Sequence, residues 1–504
     1  MRKLFLLFVI AIISCNLKAQ DDNKIVIGKI DSVYSNVLHE QRKIWIYTPD
    51  MTSGSRDSTQ RYPVLYLLDG DSHFQSVVGL VQQLSQANGN TVLPEMIIVA
   101  IPNTDRTRDL TPTHVTSDQP MMDSNFSKTS GGGENFTSFI EKELIPHIDS
   151  GYQTSSYKLL VGHSFGGLTV INILTNHPKL FNAYIAIDPS MWYDHQRFLA
   201  STEQKLTEKK YDGVRLYIGI ANTMPDGMTL DKMKKDTSSD TRHIRSIFEL
   251  DKFIKSNSQN GLKYSSNYYD NDNHGSVPLI TEYNGLRSIF DYYRLNLTSK
   301  DYYDSSDDVV NKFQKHYAIV SQNMGYKISP NELFVNALGY DAMSKKYYAR
   351  SAALFQLNIT DYPNRSNTYD SYGDLLAAEK DTANAIINYN KALAIKENAD
   401  TRQKLNALEG KEAFSLSEEE LEKYTGDFEV DKYNVVVTFK MKDGSLWAIV
   451  PGDDDSQLVP VSADNFSVKN KSGYSIHFNK DGDKITGFTS TQPNGIFTAH
   501  LKNK

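Results

Sequence analysis

Between about residues 24 and 295, short apolar runs alternate with helix-length amphipathic segments. That is the pattern of a largely parallel sheet covered by helices. Residues 64–68, 96–100, 158–161, 183–187 and 216–220 are nearly continuous apolar runs, as strands buried on both faces require. Ahead of them, 25–34 and 43–47 alternate apolar with polar residues, which predicts antiparallel strands at one edge of the sheet. Past residue 298 the texture changes: 298–308 is rich in Tyr, Asp and Ser and reads as the start of a linker assigned to 298–325. From about 416 the period becomes two, as in Val435-Val436-Val437-Thr438-Phe439 and Tyr474-Ser475-Ile476-His477-Phe478, with turns at Lys442-Asp443-Gly444 and Lys480-Asp481-Gly482. Residues 415–504 are therefore expected to form a small antiparallel β domain.

The intervening segment, 326–411, is helical in pattern. Gly339 and Gly373 lie 34 residues apart, Phe355 and Tyr389 keep the same register, and Ala352, Ala385 and Ala392 flank the aromatics. Pro363 ends the first unit. This period resembles two tetratricopeptide repeats, which would need a neighbouring helix or domain to pack on and would suit a protein partner. The opening of the β domain, Leu421-Glu422-Lys423-Tyr424-Thr425-Gly426, resembles the lipocalin-like domain appended to many exported hydrolases.

A chain of 504 residues accommodates two to four domains. Its formal charge of −7 supplies no basic stripe for nucleic acid. Arg2 and Lys3, the apolar run 4–13 and the small-residue exit at Ala19 mark residues 1–19 as a secretory signal peptide, too short to span a bilayer. Export to the periplasm or medium is the expectation, and no later stretch is long and apolar enough for a membrane span. Cleavage after Ala19 would remove Cys15, the single cysteine, and leave no thiol for catalysis or metal binding. The alternative is a lipoprotein anchored through an acylated Cys15.

The strongest chemical signal is Gly162-His163-Ser164-Phe165-Gly166-Gly167, lying between an apolar strand and a helix-compatible run. It has the form of a nucleophile elbow, in which glycines permit close backbone approach around a strained serine. A serine needs a base, which in such folds follows the last strand. His274, in Asp270-Asn271-Asp272-Asn273-His274-Gly275, is placed for that role. His163 reads as a structural neighbour. The acid is expected just past the strand 216–220: Asp226 is nearest, Asp231 and Asp236 follow, and the sequence ranks them by proximity alone. A Ser–His dyad stays open. For the oxyanion hole the backbone amides of Phe165 and Asp71 are the candidates, the latter in Leu67-Leu68-Asp69-Gly70-Asp71-Ser72. Asp453-Asp454-Asp455 lacks the spaced ligands of a calcium loop, and 129–133 lacks the Gly-Lys-Ser/Thr of a P-loop. No metal and no cofactor are implied.

Tyr66-Leu67-Leu68-Asp69-Gly70, Ile98-Val99-Ala100-Ile101-Pro102-Asn103, the elbow itself, Asp188-Pro189-Ser190-Met191-Trp192 and Asp272-Asn273-His274-Gly275 together resemble the esterase family that includes esterase D, feruloyl and acetyl-xylan esterases and enterobactin-type siderophore esterases. The resemblance runs from about residue 31 to 293. It implies an α/β-hydrolase fold over 20–297, carboxylic ester hydrolysis through an acyl-enzyme, a small-molecule or acylated-sugar ester as substrate, and Trp192 beside that substrate. The Leu-Leu-Asp-Gly and Ser-Met-Trp versions look nearest the siderophore branch. The rival readings are an acyltransferase and a binding or scaffold protein with a vestigial hydrolase domain.

Overall fold

The computed structural model describes residues 25–49, 60–116, 124–411, 414–431, 435–471, 473–492 and 495–502. The signal segment 1–19, with Cys15, lies outside the described residues. The chain divides into two compact units, 1–294 and 295–504.

In the first unit, β1 (Lys29–Ser35), β2 (Glu40–Tyr47), β3 (Tyr62–Leu68), β4 (Ile97–Ile101), β5 (Thr154–His163), β6 (Ala183–Ile187), β7 (Arg215–Ala221) and β8 (Lys263–Tyr269) form one sheet in the order β1-β2-β4-β3-β5-β6-β7-β8. The β1–β2 and β2–β4 pairs are antiparallel and every pair from β4 onward is parallel. Alternation in β1 and β2 thus does mark the antiparallel edge. The near-continuous apolar strands β3, β4 and β6 lie in the middle, with β4 and β6 buried at every position. Helices α1 (Gly70–Ser85), α2 (Phe165–Asn176), α3 (Arg242–Ser256) and α4 (Val277–Ile289) flank the sheet. Leu68, Leu160, Leu168 and Ile171 belong to one continuous core. Parallel strands carry their loops to a shared carboxyl edge, where open α/β sheets place their sites.

The edge strands are tied to that region by charge. Buried Arg42 on β2 meets Asp109 at 2.6 Å and Glu40 at 2.8 Å, while Arg108 meets Glu40 at 2.6 Å and Asp109 at 2.7 Å. The segment after β4 that carries Arg106 is held in place by this network.

The second unit opens with helices where a linker was expected. Thr298 and Asp301 form a capping box that starts a short helix at Ser299–Tyr303. Then α5 (Asp308–Met324) buries Val309, Val310, Phe313, Val320 and Met324. That spacing is one face of a helix. Val309, Val310 and Phe313 share a core with Val335, Leu338, Leu354 and Leu357, so 298–325 is structural and packs on the helical segment. The helices α6 (Glu332–Ser344), α7 (Tyr348–Asp361), α8 (Ser366–Ala378), α9 (Thr382–Ile395) and α10 (Ala399–Leu408) come next. A Cβ on Gly339 would enter the Phe355 ring, and one on Gly373 would meet Tyr389 at 2.6 Å, so the 34-residue period is one repeated ring-on-glycine contact. Among the described residues eight strands follow: β9 (Gly426–Val430), β10 (Val435–Lys442), β11 (Ser445–Ile449), β12 (Ser456–Ser462), β13 (Asn465–Val468), β14 (Ser475–Asp481), β15 (Lys484–Gln492) and β16 (Gly495–Leu501). They close into an antiparallel barrel, so the β segment is a complete barrel with its own core of Phe428, Phe439, Phe466, Phe478 and Phe488.

Candidate active site

β5 ends at His163 and α2 begins at Phe165, leaving Ser164 between them at φ 60, ψ −113. Residues other than glycine avoid that region, and it persists only where the surroundings over-determine it. They do here. Ser164 N–H donates to the Ile187 carbonyl at 2.9 Å, and its carbonyl accepts from Leu168 N at 2.9 Å and Ser190 N at 3.1 Å. A Cβ on Gly162 would lie 2.5 Å from the Gly166 backbone, and one on Gly167 would lie 2.9 Å from Pro189 Cα. The turn is tight enough to require both glycines.

The loop after β8 presents His274. Asn273 Oδ1 accepts from Gly275 N at 2.9 Å and Ser276 N at 3.1 Å, and Ser276 Oγ donates to Asp272 Oδ1 at 2.8 Å, folding the loop on itself. His274 Nε2 lies 3.2 Å from Ser164 Oγ, and His274 Nδ1 lies 2.6 Å from Asp188 Oδ2. An ionised carboxylate can only accept, so the Asp188 contact puts the ring proton on Nδ1 and leaves Nε2 free to take the serine proton. Burial alone would raise the Asp188 carboxyl, but hydrogen bonds from His243 and His274 hold it well below the usual carboxylate range. It is an anion in the interior, satisfied on both oxygens, with Ala221 N donating to Oδ1 at 2.9 Å.

This corrects the expectation for the acid. Asp226 is exposed in the loop after β7 and Asp231 is exposed beside Lys234, 3.8 Å away. Asp236 turns to Ser238 and Thr241, whose hydroxyls hold its carboxyl down to about 2. The hydrogen bond that His274 Nδ1 makes goes to Asp188 and to none of these three. The physical reason lies in the strand order: β6 pairs directly with β5, which leads into Ser164, so a side chain at its end reaches the Nδ1 side of the imidazole. The loop after β7 is tied at its start to the loop that bears His274, Asn222 N donating to the Asp272 carbonyl at 2.8 Å, and its carboxylates beyond that point turn outward or to local hydroxyls. Asp188 satisfies the same chain order of serine, acid, histidine and was visible in Asp188-Pro189-Ser190; the signal was one strand earlier than proximity to β7 suggests. His243, from the first turn of α3, carried no comparable signal.

Behind His274 stands His163, its ring centroid 4.5 Å from that of His274 and 5.8 Å from that of His73. Burial, then the two neighbouring imidazoles, push its ring down to about 4, so it is a neutral packing partner at neutral pH. Ser190 Oγ lies 3.4 Å from Ser164 Oγ. Trp192 is nearly buried, with its ring centroid 6.1 Å from that of Phe165. Asp71 sits in the first turn of α1, where amides lack intrahelical acceptors. Asp69, at that helix's N-cap, lies against the elbow: a Cβ on Gly166 would be 3.0 Å from its Oδ2. Arg106 clamps Asp69 with two bonds of 2.6 and 2.9 Å and donates to the His163 carbonyl at 3.3 Å, with its guanidinium 5.5 Å from the centre of the Phe165 ring. The N-termini of α1 and α2 are thereby held side by side. Among the described residues, Asp188, His243 and His274 also form a two-histidine, one-carboxylate cluster with ligand atoms within 4.8 Å of one another. Both ring nitrogens stand at hydrogen-bond distance from Asp188 Oδ2, and a metal ion would have to displace both protons.

Comparison with known proteins fits this geometry. The family profile Esterase, described as "Putative esterase", matches residues 35–268. A solved structure titled IroE-like serine hydrolase, from Shewanella oneidensis, is 30% identical and superposes with a TM-score of 0.54, covering 66% of this chain and 98% of that one. The chain belongs to this esterase family. Among curated relatives, the ferri-bacillibactin esterase BesA of Bacillus subtilis is 33% identical over 31% of this chain and 58% of its own length. The apo-salmochelin esterase of Escherichia coli is 26% identical over 31% of this chain and 49% of its own. The chain therefore spans about half of the length of the curated relatives it matches. No helix among the described residues is long and apolar enough to cross a membrane.

Proposed function

We propose that the chain is a serine carboxylic-ester hydrolase. His274 takes the proton of Ser164, the serine oxygen attacks the ester carbonyl, and water later clears the acyl-enzyme while Asp188 stabilises the imidazolium. The observation that carries this reading is the continuous line Ser164 Oγ–His274–Asp188, at 3.2 and 2.6 Å. The amides of Phe165 and Asp71, at the adjacent N-termini of α2 and α1, are the proposed oxyanion donors. Trp192, packed beside Phe165, is proposed to border the substrate.

For substrate we propose a siderophore ester, supported by the activities for which the two curated relatives are named. Hydrolysis of short p-nitrophenyl esters and of a catecholate trilactone, followed by product analysis, tests class and substrate separately. Ser164→Ala and His274→Ala are each expected to lower kcat by about 10⁴-fold or more. Variants that turn over ester as fast as the parent would refute the mechanism. Export is proposed from the pattern of residues 1–19; N-terminal analysis of protein from the medium or periplasm is expected to begin at Gln20, or at a lipid-bearing Cys15 if the segment is a lipoprotein signal.

A further inference from the structure

The acid of the proposed triad is shared. Asp188 Oδ1 is taken by the Ala221 amide, and both histidines fall on the other oxygen: His274 Nδ1 at 2.6 Å and His243 Nε2 at 2.8 Å from Oδ2. The two rings stand 5.2 Å apart with their planes at 88°, and both reach that one atom. His243 is fixed in the first turn of α3, where its carbonyl accepts from Ser246 Oγ at 2.8 Å, and its side chain is only 16% exposed. Because the carboxylate can only accept, His243 must present an N–H through Nε2. An acceptor that divides its lone-pair density between two donors binds each less strongly than it would bind one alone.

We propose that His243 is a positioning residue that acts on the base through Asp188, moderating the hydrogen bond between Asp188 and His274 by occupying the same oxygen. This rests on the reading of Ser164, His274 and Asp188 as the reacting set. The charged and titratable groups around it are few. Asp188 and His274 face it directly, and His163 stands behind His274, with the His73–Glu282 pair beyond (3.2 Å). On its own helix Arg245 is turned away to Thr241 and the Ser238 carbonyl. Removing the His243 ring leaves Asp188 anchored by Ala221 and gives Oδ2 wholly to His274, so the Asp188–His274 bond tightens and the base becomes harder to deprotonate. The size expected is that of one charge-assisted hydrogen bond, enough to move a titration by about one unit.

The test compares the full chain with His243→Ala and His243→Gln, the latter keeping an N–H donor near the Nε2 position without an imidazole. In the low-field proton spectrum the resonance of the His274 Nδ1 proton is expected to move downfield in His243→Ala and to return toward the parent position in His243→Gln. The acid limb of kcat/KM for p-nitrophenyl acetate should move up by about one pH unit in the alanine variant, leaving about a tenth of parental activity on that limb, with KM unchanged and rescue by glutamine. An unmoved resonance in His243→Ala, or a glutamine variant displaced as far as alanine, overturns the inference. The spectrum needs no turnover, so failure of the esterase reading would appear separately, as ester hydrolysis that survives Ser164→Ala.

Discussion

At the scale of single residues, the site is organised around one buried anion. Asp188 has a positive φ of 41° and accepts from Ala221, His243 and His274. It sets the imidazole tautomer, so its replacement should act on rate more than on binding. Asp188→Asn is expected to lower kcat by about 10³- to 10⁴-fold, whereas Asp226→Asn should leave kcat within about twofold, as for an exposed loop residue. Steady-state kinetics on one chromogenic ester decides between them, and a reversed order would return the acid to the loop after β7. Ser164 and His274 were legible from the elbow motif and the loop after the last strand. The carboxylate partner of His274 was not, because proximity along the chain is a poor guide when two neighbouring strands both end at the same edge.

Glu40 joins β2 to the segment bearing Arg106 and Asp109, and hydrogen bonding to Arg108, opposed by burial and aided by Arg42, holds its carboxyl down to about 2 against an ordinary 4.5. A carboxyl lowered on folding adds stability that is present above its unfolded value and lost as pH falls through the folded one. The parent should therefore lose Tm between about pH 4.5 and 2, and Glu40→Gln should flatten that loss; thermal unfolding across the range checks it. In the second unit one close contact is steric. Gly339 faces the fully buried Phe355 ring, so Gly339→Ala is expected to cost about 1–3 kcal/mol through overpacking. Denaturant unfolding of the full chain would reveal it as an earlier transition of the helical segment. The hydrophobic spacing of α5 was present from Val309 onward, yet the polar run ahead of it read as a linker because the capping box at Thr298 and Asp301 uses the same residue types as a loop.

At the scale of the whole molecule, every residue of the proposed reacting set lies in the first compact unit, while the helices and barrel make up the second. Domains with their own cores can fold alone. A protein comprising residues 20–297 is expected to hydrolyse a small chromogenic ester with kcat within about twofold of the full chain. A large loss of kcat in a folded truncation would show that the second unit contributes to turnover. Retained turnover with weakened capture of the natural ester would assign that unit to binding.

Along the chain are written the core strands of the first unit, its antiparallel edge, the elbow around Ser164, the loop that carries His274 and the 34-residue spacing of glycine and ring. These arise from local periodicity and from steric demands within a few residues, which are written along the chain. Only the tertiary structure decided that Asp188 receives the imidazole, that His243 shares its oxygen, that Arg106 joins the two helix N-termini and that the last eight strands close into a barrel. Those depend on which strands become neighbours and on directions in space. Asp188 and His274, 86 positions apart, meet because β6, β7 and β8 pair in parallel and end at one edge of the sheet, and no local pattern records that.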